Sequence, residues 1–171
     1  ISELELALNE QSRSTTHSLE ELASGDDELQ LSYHLKCTFD ELDFEYKYDV
    51  DFTWDELFSL ISPLMVVEAN EAKLHNAIMK RVEQKIDLDQ EIEEIRESLK
   101  EEKGITSDDF IGINSGLNPA DFMKIKNQFL ALELIDDGNS VRSALDAQNY
   151  FRLTQKGKRH MHRIRAVKKG E

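Results

Sequence analysis

From residue 42 to residue 52 the chain alternates without a break. Leu42, Phe44, Tyr46, Tyr48, Val50 and Phe52 point one way, and Asp43, Glu45, Lys47, Asp49 and Asp51 the other. A strict period of two is hard to obtain from a helix, so this stretch reads as a half-buried strand with one packed and one wet face. Just before it, Leu29, Leu31, Tyr33 and Leu35 alternate with Gln30, Ser32, His34 and Lys36. The two runs meet near "CTFDE" and predict a β-hairpin over 29–52. Residues 1–28, with "SELELALNEQ", "SRSTTHS" and a Gly25-Asp26-Asp27 breaker, read as a leader or linker.

Helical periods take over at Thr53. Thr53-x-x-Glu56 is a capping-box pattern that starts a helix at Trp54, and Pro63 stops or kinks it. Leu74, Ala77, Ile78, Val82 and Ile86 form the apolar stripe of a second helix beginning near Glu68. In "DLDQEIEEIRESLKEEKG", Leu88, Ile92, Ile95 and Leu99 recur at four, three and four, a coiled-coil-like seam on an acidic helix that ends at Gly104. The seam either folds back on its own domain or pairs with a second chain, and periodicity does not choose. After a loop, "ITSDDFIGINSGL", Asn118 and Pro119 open a helix reading "PADFMKIKNQFLALELI", with Phe122, Ile125, Phe129 and Leu132 inward. "DDG" ends it, a polar connector reaches Asn149, "YFRL" is a short strand, and Thr154 caps a terminal helix. Met161, Ile164 and Val167 give that helix an apolar edge. Trp54, Phe58, Phe122 and Phe129 belong to the core rather than to a binding box.

Charge is unevenly placed. The chain carries 35 acidic and 21 basic residues, a net of -14, yet 150–170 holds eight basic residues and no acidic one. Without 152–171, the other 151 residues carry 13 basic and 34 acidic groups, a net of -21. Such a field repels a phosphate backbone over much of the surface, so any nucleic-acid contact has to be local. The basic helix has three open uses: to meet carboxylates of this protein or of a partner protomer, to touch nucleic acid, or to be solvated. Internal neutralisation is the economical one.

The string "IKNQFLALELIDDG...YFRLTQKGKRHM" resembles the end of a winged helix-turn-helix domain: a third helix, a wing, a strand closing on "LT" and "xxG" opening the last helix. With "TWDELFSLISPLMVVEANEAKLHNAIMKRV" before it, the resemblance reaches back to Thr53. The phrases "TWDELFSLISPLM...EANE" and "YFRLTQKG" are also similar to the C-terminal portion of certain bacterial proteins of unknown function whose N-terminal part is TIR-like or nucleoside-deoxyribosyltransferase-like. That likeness implies a regulatory or assembly module attached to an effector. It fits a chain that opens on Ile1 without a signal-peptide pattern, the expected look of a piece cut from a longer protein.

Chemistry-bearing motifs are absent. Neither GxxxxGK[ST] nor GxGxxG occurs, and Cys37 has no motif around it and reads as an ordinary thiol. A single cysteine fits a reducing compartment, and no apolar run is long enough to span a membrane. Glu68, Glu71 and His75 share helical spacing but lack a second cluster for a metal, and "DLDQEIEEIRE" lacks the Gly and final Glu of an EF-hand. The expectation is therefore an α+β, helix-dominated chain with three parts: a leader (1–28), a β-hairpin (29–52) and a winged-helix-like domain (53–171). An acidic helical insertion at 87–104 sits between the second and third helices of that domain. The expected function is a non-enzymatic, cytoplasmic protein-interaction or oligomerisation module of a larger bacterial protein, without cofactor, metal or membrane partner, binding a protein or a second copy. The alternative is a DNA-binding winged helix of a transcriptional regulator, using Lys124, Asn127, Gln128, Arg142, Lys156, Lys158 and Arg159. Two or three cations on the third helix and connector are few for that task, because affinity scales with the phosphates neutralised.

Overall fold

The computed structural model describes residues 19, 21–39, 41–106 and 110–171. The stretches "SELELALNEQ" (2–11) and "SRSTTHS" (12–18) of the expected leader lie outside the described residues. The protein is mixed α/β, 47% helix and 27% strand, with two small antiparallel sheets. No helix among the described residues is long and apolar enough to cross a membrane.

Strands β1 (Glu28–Phe39) and β2 (Leu42–Thr53) form the expected hairpin, with Tyr33 opposite Tyr48 and Leu29 opposite Phe52. Every apolar residue of the β1 alternation from Leu29 to Phe39 is buried, while Asp43, Glu45, Lys47, Asp49 and Asp51 of β2 are exposed. Thr53 caps α1 (Trp54–Ile61), its Oγ1 accepting the Glu56 amide at 3.0 Å. The reciprocal half of the capping box is not made. The Glu56 carboxylate turns instead to Lys85 at 2.8 Å and Arg81 at 3.8 Å, because α2 runs beside it. Ser62–Met65 continue as a single 3-10 turn around Pro63, whose ring cannot sit in a continuing α-helix. Strand β3 (Ala69–Asn70) follows, and Asn70 caps α2 (Glu71–Ile86) through the Lys73 amide, three residues later than the start expected near Glu68. Asp87 adopts a left-handed conformation, φ 51°, and separates α2 from α3 (Leu88–Lys103), which Gly104 terminates at φ 64°.

The stretch expected as a loop contains strand β4 (Phe110–Leu117), which pairs antiparallel with β1 and completes a sheet of order β2-β1-β4. Helix α3 is thus followed by a strand that joins the hairpin. Helix α4 (Pro119–Ala131) is capped by Asn118. Its expected continuation to Ile135 is interrupted: Leu132 is the C-cap, Glu133 sits at φ 60°, and Ile135–Asp137 form β5. Strand β6 (Tyr150–Leu153) lies between β3 and β5, and Thr154 caps α5 (Gln155–Arg165). Met161 is buried and Ile164 packs against the core, but Val167 lies beyond the helix and is exposed, so the predicted apolar edge stops at Ile164.

One hydrophobic core joins both sheets. Trp54 and Phe58 of α1 each meet the edge of Phe129 of α4, with centroids 5.6 and 5.2 Å apart. The Asp121 carboxylate accepts the Ser32 amide at 2.8 Å and the Asn118 amide donates to the Ser32 carbonyl, fastening the start of α4 to β1. Tyr33 and Tyr48 donate to Glu83 of α2 and Glu91 of α3 at 2.9 and 3.1 Å, so the hairpin sheet carries these two helices on its packed face.

Candidate functional site

The connector between β5 and β6 is organised by Glu68, which sequence spacing grouped with Glu71 and His75 on a helix face and not with the connector. Glu68 precedes β3, and because β3 pairs with β6, its carboxylate reaches the start of the connector. It accepts the amides of Asn139 at 2.8 Å and Ser140 at 3.1 Å and pairs with Arg142, and its side chain is only 6% exposed. Burial pushes the Glu68 carboxyl up, but the two amides, with the Ser140 side chain and Arg142, outweigh it and hold the group below its ordinary value. A Cβ on Gly138 would lie 2.9 Å from both the Glu68 carboxyl carbon and the Tyr150 Cβ, so this approach requires glycine.

Arg142 also stacks on the Tyr150 ring, 3.1 Å from its centroid, and the Tyr150 hydroxyl donates to Asp146 at 2.8 Å. The one cation of the connector is therefore held inside it. Among the side chains the connector presents to water, the large apolar ones are Val141 and Leu145, 102% and 94% exposed. Val66 and Val67, next to Glu68 in sequence, are exposed as well.

The polar residues of α4 part company. Lys126 pairs with Glu71 at 2.7 Å and is mostly buried, and Gln128 donates to the Ala23 carbonyl at 2.7 Å. Lys124 and Asn127 stay exposed beside Met123. On α5, Lys156 donates to the Leu132 carbonyl at 2.8 Å, closing the C-terminal end of α4. His160 meets Asp55 at 2.7 Å and Arg165 donates to the Ser59 carbonyl at 2.9 Å, so α5 is anchored on α1. Among the described residues, Lys158, Arg159 and Arg163 have no carboxylate within ion-pair distance. Among the described residues, the one contact between α5 and a carboxylate of this chain is that of His160 with Asp55, because α5 packs on α1 and the 3-10 turn, away from the acidic helix. Arg159 and Arg163, with Leu134, Lys156 and His160, line a cavity of about 280 Å³.

The seam lies against its own chain. Ile95 and Leu99 are buried in the core, and Leu88 and Ile92 are partly buried against it. Cys37 is buried on β1, and burial pushes its thiol up, away from the reactive thiolate. Glu68, Glu71 and His75 do not converge: the first two are paired with Arg142 and Lys126, and His75 packs edge-on against Phe122. Among the described residues no group of three or more His, Cys, Asp or Glu is arranged to hold a metal ion. No protein-family model, curated protein or solved structure matches the chain.

Proposed function

We propose that the chain is a non-enzymatic protein-interaction or oligomerisation module whose second half, from Thr53 onward, has winged-helix form. The order of its elements supports the form: α1, β3, α2, then α4, β5, connector and β6, with β6 central between β3 and β5. In that reading α4 takes the place of a recognition helix and residues 138–149 that of the wing, while α3 and β4 interrupt the domain to complete the hairpin sheet.

The observation that carries the function is the chemistry of the wing. A wing that grips a duplex offers cations to phosphates. Here the single Arg142 is bound to Glu68 and Tyr150, and the other exposed residues of the wing are uncharged, Val141 and Leu145 among them. On α4, Lys126 is bound to Glu71, leaving Lys124 as the exposed cation of that helix. A wing with two exposed aliphatic side chains and no unpaired cation, beside a nearly uncharged helix face, suits a protein surface better than a polyanion. Fluorescence anisotropy of labelled duplex DNA across salt concentration tests this. We expect no saturable binding near physiological salt. Tight binding that weakens steeply with salt, and is reduced by Lys124→Ala, would establish the DNA-binding reading instead.

A further inference from the structure

We infer that the outward face of α5 docks on the outward face of α3 in a second copy of this chain. This rests on the interaction-module reading and names the partner. Opposite its buried Met161, α5 presents Arg159, His162 and Arg163, flanked by Lys158, and the helix contains no acidic residue. Opposite its buried Ile95 and Leu99, α3 presents Glu93, Glu94, Glu97 and Glu101, with Lys100 among them and the partly buried Arg96 at the margin. Arg96 takes Glu93 at 3.6 Å, and among the described residues no cation lies within ion-pair distance of Glu94, Glu97 or Glu101.

Both faces are self-repelling. Arg159 and Arg163 stand four residues apart, as do Glu93, Glu97 and Glu101, and like charges at that spacing weaken a helix. A counter-row from outside relieves both. It cannot come from the same copy: α5 packs on α1, the 3-10 turn and β6, whereas α3 packs on α2 and the hairpin sheet. The lengths also match. An 11-residue helix is about 16 Å long and a 16-residue helix about 24 Å, so the cationic row of α5 lies within the span of α3.

Two molecules of charge -14 repel at long range, while the facing rows attract within a few ångströms. Association should therefore be strongest at intermediate salt, where the long-range term is screened and close pairs persist. It should also be weak, with a dissociation constant on the order of 100 µM, because the pairs are exposed and the contact is small.

Sedimentation equilibrium of the 171-residue chain over a concentration and salt series tests this. Arg159→Glu with Arg163→Glu, and separately Glu97→Lys with Glu101→Lys, should each weaken self-association about tenfold or more. Circular dichroism should be unchanged, since all four side chains are exposed. The fourfold variant, with both faces reversed, should recover association, and so should an equimolar mixture of the two double variants. A mass that stays monomeric throughout, double variants that associate like the parent, or a fourfold variant no better than either double overturns the inference. A monomer that binds no DNA overturns only this pairing. A monomer whose duplex DNA binding is lost in Arg159→Glu/Arg163→Glu overturns the interaction-module reading as well.

Discussion

Replacing Gly157 with alanine sets two physical effects against each other with opposite signs. Gly157 lies in the first turn of α5, where alanine is favoured over glycine by about 1 kcal/mol. Helix propensity alone would thus make Gly157→Ala stabilising. A Cβ at this position, however, would stand 1.9 Å from the carbonyl oxygen of Leu134 and 2.9 Å from its carbonyl carbon, where unstrained contacts sit at about 3.5 Å. The obstacle is backbone, and it is held on both sides: the Leu134 amide donates to Phe129 at 3.0 Å, and its carbonyl accepts the Thr154 amide at 3.1 Å. Relief requires α5 and the start of β5 to separate by more than 1 Å, at about 1–3 kcal/mol for overpacking plus about 1 kcal/mol for the strained Thr154 bond. Subtracting the propensity gain leaves a net loss of about 2 kcal/mol. For a domain of this size that corresponds to a fall in Tm of about 4–8 °C. Thermal and urea denaturation followed by circular dichroism measure it. A midpoint equal to or above that of the parent would refute the close approach of α5 to Leu134.

Leu99→Ala should cost about 2–4 kcal/mol in urea denaturation, because Leu99 is buried under the hairpin sheet. An unchanged midpoint would mean that the seam is not packed on its own chain. Glu68 supplies a pH dependence. Its folded-state carboxyl is held below its ordinary value, so the stability it contributes is present above the ordinary carboxylate range and lost as pH falls through the depressed folded value. Glu68→Gln should accordingly lower the urea midpoint at neutral pH and converge on the parent in strong acid. It should also speed hydrogen exchange at the Asn139 and Ser140 amides at neutral pH; equal exchange rates in parent and variant would contradict the role of the carboxylate.

What could be read from the residues alone was whatever depends on local chemistry. The alternation from Leu42 to Phe52 marks a strand because a pleated backbone has only two faces, and the hairpin it implies is present. Thr53, Asn118 and Thr154 each cap the helix they precede, since a side-chain oxygen there satisfies an amide the helix cannot. Strand β4 was not legible. "FIGINSGL" has two glycines, a serine and an asparagine, poor strand formers, and its conformation comes from pairing with β1, where Leu117 faces Tyr33 across 84 positions of sequence. The end of α4 failed for a related reason. "LALELI" keeps a helical apolar pattern to Ile135, and the break is a left-handed Glu133, a residue type that carries no signal for it.

The site was legible in its parts but not in its pairings. Charge arithmetic gives totals, whereas an ion pair needs groups within 4 Å, and which groups come that close is a property of the fold. The cations scattered through the acidic region, Lys85, Lys126 and Arg142, find Glu56, Glu71 and Glu68, which lie 29, 55 and 74 positions away in sequence. Of the cations expected to read DNA on α4 and the connector, these pairings consume Arg142 and leave Lys124 exposed. They leave the surplus where neither sign can answer the other within one molecule: carboxylates along α3, and Arg159 and Arg163 along α5. A chain that neutralised itself evenly would have no preferred direction of approach. This one keeps its charges apart on different helices, so an electrostatic encounter with another copy is oriented before any apolar surface meets.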